Sequence, residues 1–397
     1  MKKLSILITI LVLILTCSAC SNNEKVEEAK QNTLDVKEVF EYVFDAGILT
    51  SLDYKFANVY MASVNDNYGG GCTAIAKVNS NGDTLVGRNL DLNISNKPAY
   101  FFKTDIEGLY KTINLTYTFR DISPDYELVK DGVLEGDFIK IMPFMADDVL
   151  NEKGLYIEVN MRNAESWPTG ESKFSCPGTN PDSNERVYVS ELTRYIGDHC
   201  ATVDEALEYV KTLNLYTQDG YWNYCFLMAD ATGHYGVLEI ANNEIVWNDY
   251  APAQTNFYLN EKFSSIQEYG TGQGRYKVVT EGIDDVNSEE EMFALMDKAS
   301  YFQFYDFENC NYDYRYELVA ATPEFTSSFV ENEENRELIN GILSEYSKPI
   351  KTMTRQQLQD ANEYWESSFT EVINCNNKTI FVRFFEDDSK TMMLSFD

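Results

Sequence analysis

A single cysteine behind a run of glycines is the feature of this sequence best suited to chemistry. Gly69-Gly70-Gly71 precede Cys72, and Gly87-Arg88-Asn89-Leu90-Asp91 follow on the next predicted strand. Cleavage of the Gly71–Cys72 bond would leave Cys72 with a thiol as nucleophile and its own α-amine as base. Glycines offer little steric resistance to a strained scissile peptide. With such a cleavage, the chain would be an amide-bond hydrolase.

The base for this thiol has two candidate sources. A cysteine reacts as its thiolate, so a pKa of roughly 8.5 must be lowered by a neighbouring cation or base. An α-amine titrates at roughly 7.7–8.0, near the range of a general base at neutral pH. The only histidines, His199 and His234, lie far along the chain. We expect the α-amine to act, and a Cys–His dyad with either histidine is the alternative.

The strands that carry Cys72 and Asp91 are joined through Asn81-Gly82, the strongest short signal for a hairpin. A two-residue turn there would place Cys72 opposite Asp91 and would put Arg88 on the other face of the hairpin. Either a bulge at Gly87 re-aims Arg88, or the turn is longer than two residues. The sequence predicts the hairpin and leaves its register open.

Composition limits the possible functions. The chain has 397 residues, of which 44% are hydrophobic, enough for one large or two ordinary globular domains. It carries 64 acidic and 32 basic residues, a net charge of −32, which argues against nucleic-acid binding. We interpret the acidity as that of a soluble extracytoplasmic surface, with a cationic partner as the alternative.

The N-terminus is typical of an exported lipoprotein. Two lysines precede an apolar run, 4–15, that is too short for a comfortable membrane span. Ser18 and Ala19 directly before Cys20 resemble a bacterial lipobox with Cys20 as the lipidated residue; an ordinary secretory signal is the alternative. We expect a protein on the outer face of a bacterial cell membrane, or one secreted after cleavage. The predicted domains are a lipoprotein-type signal peptide (1–20), a tether and leader (21–71) and a hydrolase domain (72–397).

The remaining cysteines give neither a disulfide framework nor a metal site. Their number is odd, their spacing is scattered, and no clustered histidines accompany them. We expect no metal and no cofactor. These cysteines are Cys176, Cys200, Cys225, Cys310 and Cys375.

Alternating strands and helices predict an α+β layered domain. Helical spacing of apolar residues indicates one or two helices between residues 34 and 62. The predicted strands are 72–78, 84–91, 154–160, 225–229, 236–241, 244–247, 255–259, 379–385 and 391–396, and the further helices are 190–196, 203–213, 275–281, 288–298 and 333–345. Thr202 is the expected N-cap of the helix 203–213.

Several motifs together resemble those of the choloylglycine hydrolase family. Cys72-Thr73-Ala74-Ile75 and Gly87-Arg88-Asn89-Leu90-Asp91-Leu92 are similar to the start of that family, and three later segments agree in order. The resemblance implies an N-terminal-nucleophile hydrolase with a four-layer αββα sandwich. The later segments are Asn151-Glu152-Lys153-Gly154-Leu155, Leu227-Met228-Ala229-Asp230 and Gln254-Thr255-Asn256.

The resemblance also implies a role for each matching residue. Cys72 would be the nucleophile and, by its amine, the base, with Arg88 and Asp91 orienting it and Asp91 bonding the ammonium. Asn256 would donate to the tetrahedral oxyanion. Arg275 would be the late catalytic arginine. Asn160 would be a second oxyanion-hole asparagine, a role for which Asn163 competes.

The predicted reaction is hydrolysis of a linear, non-peptide amide of an N-acyl compound. Conjugated bile salts, penicillin V-like compounds and N-acyl amino acids are the candidate substrates. Expected partners are this small molecule and, through the lipid anchor, a membrane, with a homo-oligomer possible and nucleic acid excluded. The alternative is a lipid-anchored binding or surface protein without catalysis on the same fold.

Overall fold

The computed structural model of the chain describes most of the residues from 70 to 300 and a C-terminal segment. The described residues are 26–28, 48–49, 70–93, 99–117, 129–130, 133–134, 144, 146–162, 165–166, 171–172, 176–217, 223–264, 269–270, 272–300, 305–306, 311–312, 319–320, 365–384 and 387–396. The signal peptide, Cys20, Asn163 and the predicted helix 333–345 lie outside them.

Fifteen described strands build two large sheets. Sheet I has the order β1-β15-β14-β13-β4-β3-β12 and sheet II the order β11-β10-β9-β8-β7-β6-β5-β2. The strands are β1 Val26–Glu28, β2 Ile48–Leu49, β3 Gly70–Val78, β4 Thr84–Asn93, β5 Ala99–Thr104, β6 Thr112–Tyr117, β7 Ala146–Asn151, β8 Tyr156–Arg162, β9 Asn223–Ala229, β10 Tyr235–Ala241, β11 Glu244–Asp249, β12 Ala253–Gln254, β13 Trp365–Asn374, β14 Thr379–Phe384 and β15 Asp387–Leu394.

Neighbouring strands within both sheets run antiparallel except at one edge of each. There β1 pairs in parallel with β15, and β2 pairs in parallel with β5. Both edge strands therefore come from the segment that precedes Cys72. Shorter two-stranded ladders pair Val129–Lys130 with Val133–Leu134, Glu165–Ser166 with Glu171–Ser172, Arg186–Tyr188 with Asn214–Tyr216, Tyr269–Gly270 with Val319–Ala320, and Tyr305–Asp306 with Asn311–Tyr312.

All of the described helices except the short third one form the outer layers. The described helices are α1 Leu192–His199, α2 Val203–Val210, α3 Glu261–Ser264, α4 Gln273–Gly282 and α5 Glu289–Lys298, with 3₁₀ turns at Val189–Glu191 and Ile283–Asp285.

Two of these helices begin at side-chain caps. Thr202 accepts a hydrogen bond from Glu205 N at the start of α2, as the sequence predicted. At α5, Ser288 accepts from Glu291 N while the Glu291 carboxylate accepts from Asn287 N. This is a capping-box arrangement, in which side chains satisfy backbone groups at the helix start.

Three buried cores separate the four layers. One core lies between the sheets and joins Cys72 and Leu90 of sheet I to Phe101 and Leu227 of sheet II. A second lies between sheet II and helices α1 and α2, and a third between sheet I and helices α4 and α5. Each sheet is therefore buried on both faces, and the predicted α+β four-layer αββα sandwich is confirmed.

The β3–β4 hairpin has a longer turn than the minimal one at Asn81-Gly82. Cys72 faces Leu90, and Gly71 faces Asp91. The Asn79 side chain accepts hydrogen bonds from the backbone N–H groups of Asn81 and Asp83, which closes a loop from Asn79 to Asp83. The register with Cys72 opposite Asp91 was therefore wrong by one residue, and the longer turn is the correct alternative.

Gly87 is not the site of a bulge, because the β3–β4 register is regular there. A Cβ on Gly87 would lie 2.7 Å from Met292 Sδ and 2.8 Å from Met296 Cγ. Gly87 instead allows α5 to approach the sheet closely.

Most other predicted elements within the described residues are present with shifted ends, and one is wrong. The predicted strand 255–259 is irregular, because β12 ends at Gln254. Ile48–Leu49, inside a predicted helical region, forms β2, while the rest of that region lies outside the described residues. The terminal hairpin is confirmed as β14 and β15. Within the part of the chain that the structure describes, no helix is long and apolar enough to span a membrane.

Candidate active site

Cys72 lies on β3 with its side chain in the core between the two sheets, where it is 3% exposed. Successive residues of a strand point to opposite faces. Cys72 and Leu90 therefore share the inter-sheet face, together with Ala74 and its partner Arg88. The hairpin thus brings the thiol and the Arg88 guanidinium to the same side, as their proposed cooperation requires.

Because β12 ends before it reaches Cys72, side chains form the hydrogen bonds to the Cys72 backbone on this side of β3. β12 pairs with β3 at Ala74 and Ile75 and leaves the ladder after Gln254. As a result, the Cys72 N–H donates to Asn256 Oδ1 at 3.1 Å, where a continuing strand would otherwise have paired. This departure explains why 255–259 is not a strand.

Arg275 joins the groups around the Cys72 backbone. Its Nη1 donates to the Cys72 carbonyl oxygen at 2.7 Å and to Thr73 Oγ1 at 3.0 Å. Its Nη2 donates to Asn256 Oδ1 at 2.9 Å. Because Oδ1 accepts from both Cys72 N and Arg275, the orientation of the Asn256 amide is fixed, and its donor Nδ2 is on the other side.

Asp91 contacts the same arginine from the helix side of sheet I. Its Oδ2 lies 3.3 Å from Arg275 Nη1, and both side chains are fully buried. Since Asp91 follows Leu90 on the strand, its side chain points away from the inter-sheet face that holds the thiol. Asp91 is therefore linked to Cys72 through Arg275, which also donates to the Cys72 carbonyl oxygen.

The start of α4 explains how Arg275 reaches this position. The helix begins after Gly272, whose φ of 92° is left-handed and whose Cβ would lie 2.5 Å from Thr255 Cβ. Thr255 Oγ1 donates to the Gly272 carbonyl at 3.1 Å. A glycine is required for this approach, which holds Asn256 and Arg275 together.

Arg88 is surrounded by acceptors from sheet II. Its Nη1 lies 2.8 Å from Asp148 Oδ2, its Nε donates to Glu158 Oε2 at 3.1 Å, and its Nη2 donates to the Val159 carbonyl at 3.2 Å. All of these side chains are fully buried. Arg88 thereby ties the hairpin of sheet I to β7 and β8 of sheet II.

The electrostatic environment of Cys72 combines burial with opposing charges. Burial raises the pKa of the Cys72 thiol well above its ordinary value, and the Arg88 charge acts against this by lowering it. The carboxyl groups of Glu158, Asp91 and Asp147 raise it further. In the uncleaved chain the thiol is therefore held protonated at neutral pH.

Three buried acids close to Arg88 were missed in the sequence. They are Asp148 on β7, Glu158 on β8 and Glu371 on β13, which lies directly opposite Arg88 in the ladder. Glu158 lies between apolar residues of β8, but β7 and β13 contain further polar residues, so the sequence gives little local signal for these acids. Burial raises the pKa of all three carboxyl groups, and Arg88 opposes the rise.

Asn160 lies on β8, two residues after Glu158 and on the same inter-sheet face. With its side-chain nitrogen turned towards Glu158, it donates to Glu158 Oε2 at 2.8 Å and to the Val159 carbonyl at 3.2 Å. Its hydrogen bonds thus run to the neighbours of Arg88 and not to Cys72.

The two histidines have partners elsewhere in the fold. His199 Nδ1 lies 2.9 Å from the Tyr195 carbonyl, and His234 lies between the carboxylates of Asp204 and Asp249. Neither imidazole is hydrogen bonded to Cys72, so the geometry does not favour a Cys–His dyad. Among the described residues, no group of three or more His, Cys, Asp or Glu side chains is arranged to hold a metal ion.

Residues 72–260 match the family described as linear amide C-N hydrolases, choloylglycine hydrolase family. The resemblance predicted from the sequence is therefore confirmed over this segment, which is slightly less than half of the chain. The match begins at Cys72. A comparison with curated proteins gives no match.

The solved structures to which the chain is similar include two amide hydrolases. A mutant conjugated bile acid hydrolase from Clostridium perfringens is 13% identical, with a TM-score of 0.42, 82% of this chain covered and 92% of that one. Penicillin V acylase from Agrobacterium tumefaciens is 12% identical, with a TM-score of 0.38, 82% of this chain covered and 86% of that one. Both TM-scores are low, so the fold class is assigned from the four layers described above and not from these structures.

Proposed function

We propose that this protein hydrolyses a linear, non-peptide amide of an N-acyl compound, with Cys72 as its N-terminal nucleophile after self-cleavage at Gly71–Cys72. The observation that carries the proposal is the hydrogen bond from Cys72 N to Asn256 Oδ1, beside the Arg275 contact to the Cys72 carbonyl. The nitrogen that would become the α-amine is thus held among polar side chains, next to a buried thiol. The start of the family match at Cys72 supports the same residue.

Self-cleavage would proceed through an acyl shift. The Cys72 thiol loses its proton and attacks the Gly71 carbonyl carbon, the C–N bond breaks, and the Cys72 nitrogen takes up a proton. Water then hydrolyses the resulting thioester, which frees the Gly71 carboxylate, the thiol and the α-amine. The hairpin supports this step because Gly71 and Cys72 lie in one continuous strand paired with β4.

In the mature protein, the α-amine would accept the thiol proton as the thiolate attacks the substrate carbonyl. The oxyanion that forms would accept a hydrogen bond from Asn256 Nδ2, whose direction is set by the two contacts to Oδ1. The protonated amine would then give its proton to the leaving nitrogen. Water would attack the acyl-thioester, release the carboxylic acid and restore the thiol.

Substrate class and location complete the proposal. A conjugated bile salt, a penicillin V-like compound or an N-acyl amino acid would supply the acyl group, and we propose that the small-molecule site needs no cofactor. We further propose that Cys20 carries a lipid, so that the protein acts outside the cytoplasmic membrane. Intact-mass measurement of membrane fractions, compared with a Cys20→Ala variant, tests the anchor.

The central experiment follows Gly71–Cys72 cleavage and amide hydrolysis in the same preparations. Intact-mass analysis should show cleavage in the wild type, and a panel of conjugated bile salts, penicillin V and N-acyl amino acids should reveal hydrolysis. Cys72→Ala should remain uncleaved and inactive, because it lacks the nucleophile. Cys176→Ala removes a cysteine from the core on the helix side of sheet II and serves as the control. Full activity with an intact Gly71–Cys72 bond would contradict the proposal, and cleaved protein without activity towards any amide would favour a binding protein.

A further inference from the structure

One guanidinium faces three buried carboxyl groups between the sheets. Arg88 lies beside Asp148 and Glu158 from sheet II and opposite Glu371 in sheet I. We refer to Asp148, Glu158 and Glu371 as the carboxyl cluster. All three side chains are fully buried, and Arg88 is the only cation among the described residues that forms an ion pair with them. Full ionisation would leave two uncompensated negative charges in the core, which is strongly unfavourable.

Hydrogen bonding distinguishes Glu371 from the other two acids. Glu158 accepts from Gln254 Nε2 and from Leu227 N, and Asp148 accepts from the Tyr156 hydroxyl at 3.0 Å. Neither oxygen of Glu371 receives a hydrogen bond from a donor among the described residues.

A carboxyl group that is buried without a hydrogen-bond donor is far less unfavourable as the neutral acid than as the carboxylate. Glu371 also lies opposite Arg88, whose guanidinium is already paired with Asp148 and Glu158. These surroundings favour the protonated form of Glu371.

We propose that Glu371 is a positioning residue that keeps its carboxyl group protonated, so that the charge of Arg88 remains available to Cys72. The proposal rests on the proposed role of Cys72 as nucleophile. In this proposal, Glu371 sets the net charge around Arg88, although its strand is remote from Cys72 in the sequence.

The groups around Glu371 define when the proton is lost. Burial raises the pKa of Glu371 to about 7, Arg88 and the neighbouring Asp148 act against the rise, and Asp147 and Glu158 add to it. These neighbours come from β4, β7 and β8, the strands that face Glu371. Below about pH 7 the cluster keeps the proton, and above it gains one negative charge.

This change reaches Cys72 through Arg88. Arg88 lowers the pKa of the thiol, and nearby carboxylates raise it. When Glu371 ionises, the added negative charge offsets Arg88 and raises the pKa of the thiol. The fraction of reactive thiolate therefore increases less with rising pH than it would for an isolated cysteine.

The test is the rate of Cys72 alkylation by iodoacetamide as a function of pH, measured by mass spectrometry on the full-length preparation. Glu371→Gln has the shape of the protonated acid and cannot ionise. We expect it to match the wild type near about pH 6 and to react roughly tenfold faster near about pH 8. Glu371→Asp keeps a titrating carboxyl group and should restore a pH dependence close to that of the wild type.

Glu191→Gln is the matched control. Glu191 is also fully buried, and burial raises the pKa of its carboxyl group, but it lies at the start of α1 in the core on the far side of sheet II. We expect its removal to leave the pH profile of Cys72 unchanged. Equal profiles for wild type and Glu371→Gln would overturn the proposal.

A second measurement decides the question if Glu371→Gln does not fold, or if Cys72 proves unreactive in every preparation. Infrared spectra of the wild type should show a protonated carboxyl band that is lost as pH rises through about 7. This band reports the proton whether or not Cys72 is a nucleophile, so failure of the proposed function and failure of the present proposal are distinguishable. Absence of any such loss between about pH 6 and about pH 8 would overturn the role of Glu371.

Discussion

The hydrogen bonds at Cys72 run through its backbone. Asn256 accepts a hydrogen bond from the Cys72 N–H, and Arg275 donates one to the Cys72 carbonyl oxygen. Arg275 also contacts Thr73 and Asp91. A planar guanidinium can serve several acceptors at once in fixed directions, which an ammonium cannot do. Arg275 therefore determines how the residue is held, and Arg88 determines the charge near its thiol.

Replacement of Arg275 by lysine should impair both cleavage and hydrolysis. A lysine ammonium cannot reach the Cys72 carbonyl, Thr73 Oγ1 and Asn256 Oδ1 together, so we expect both rates to fall by roughly 100-fold. Time courses of cleavage by intact mass and steady-state kinetics provide the measurement. Lys277→Ala alters an exposed position of the same helix and should retain both rates. Wild-type rates in Arg275→Lys would exclude the positioning role.

The Asn256 amide offers a sharper separation of functions. Asn256→Asp keeps an oxygen that can accept from Cys72 N and Arg275, but it removes the Nδ2 donor. We expect kcat to fall by roughly 100- to 1,000-fold with little change in KM, because an oxyanion donor acts in the transition state. Asn260→Asp, four residues along the same segment, is the control. An increase in KM at constant kcat would instead indicate a role in substrate binding.

At the level of elements, the contact of β4 with α5 fixes the outer face of sheet I behind the site. Gly87 lies against Met292 and Met296, and Val372 of β13 belongs to the same core. Because protein interiors are close-packed, this interface leaves no space for an added methyl group unless the methionines move.

A Gly87→Ala substitution should therefore destabilise the fold by about 1–2 kcal/mol through overpacking. Denaturant unfolding gives the free energy directly. The double variant Gly87→Ala/Met292→Ala should be less destabilised than the sum of its single variants, because the shorter side chain makes room for the new methyl group. Strict additivity would show that the two positions do not compete for the same space.

Features that depend on a few neighbouring residues were easier to predict from the sequence than features formed by distant residues. The β3–β4 hairpin and the α2 cap are encoded within a few residues and were identified. The register of the β3–β4 hairpin was not identified, because the Asn79 side chain closes a longer loop than Asn81-Gly82 alone indicates. Asn256 and Arg275 were identified by family resemblance rather than by local pattern.

The acids around Arg88 illustrate the remaining limit. Asp148 and Glu158 pair with each other on the consecutive strands β7 and β8, whereas Arg88 and Glu371 come from distant strands of the other sheet. The two pairs meet only through the packing of the two sheets, and no spacing in the sequence connects them. An acid within a predicted buried strand indicates that a partner exists, but it does not identify that partner.

On the scale of the whole molecule, the excess of acidic residues should influence the approach of substrate. With a net charge of −32, the protein repels anions over distances that added salt screens. For an anionic N-acyl amide, kcat/KM should rise by roughly two- to fivefold between low and physiological ionic strength. An uncharged substrate with the same acyl group should show no such rise. A fall for the anionic substrate would point to a local attractive field at the site.

The two edge strands from before Cys72 carry a consequence for the mature molecule. Val26–Glu28 and Ile48–Leu49 each supply the last hydrogen-bonded partner at one border of a sheet. Scission at Gly71–Cys72 would make them parts of a separate peptide, held by a few main-chain contacts. Its departure would uncover two rows of unpaired amide and carbonyl groups, which are templates for pairing with another chain. If the cleaved peptide stays bound, both edges remain covered; if it dissociates, the enzyme becomes prone to association with other chains, independently of its chemistry.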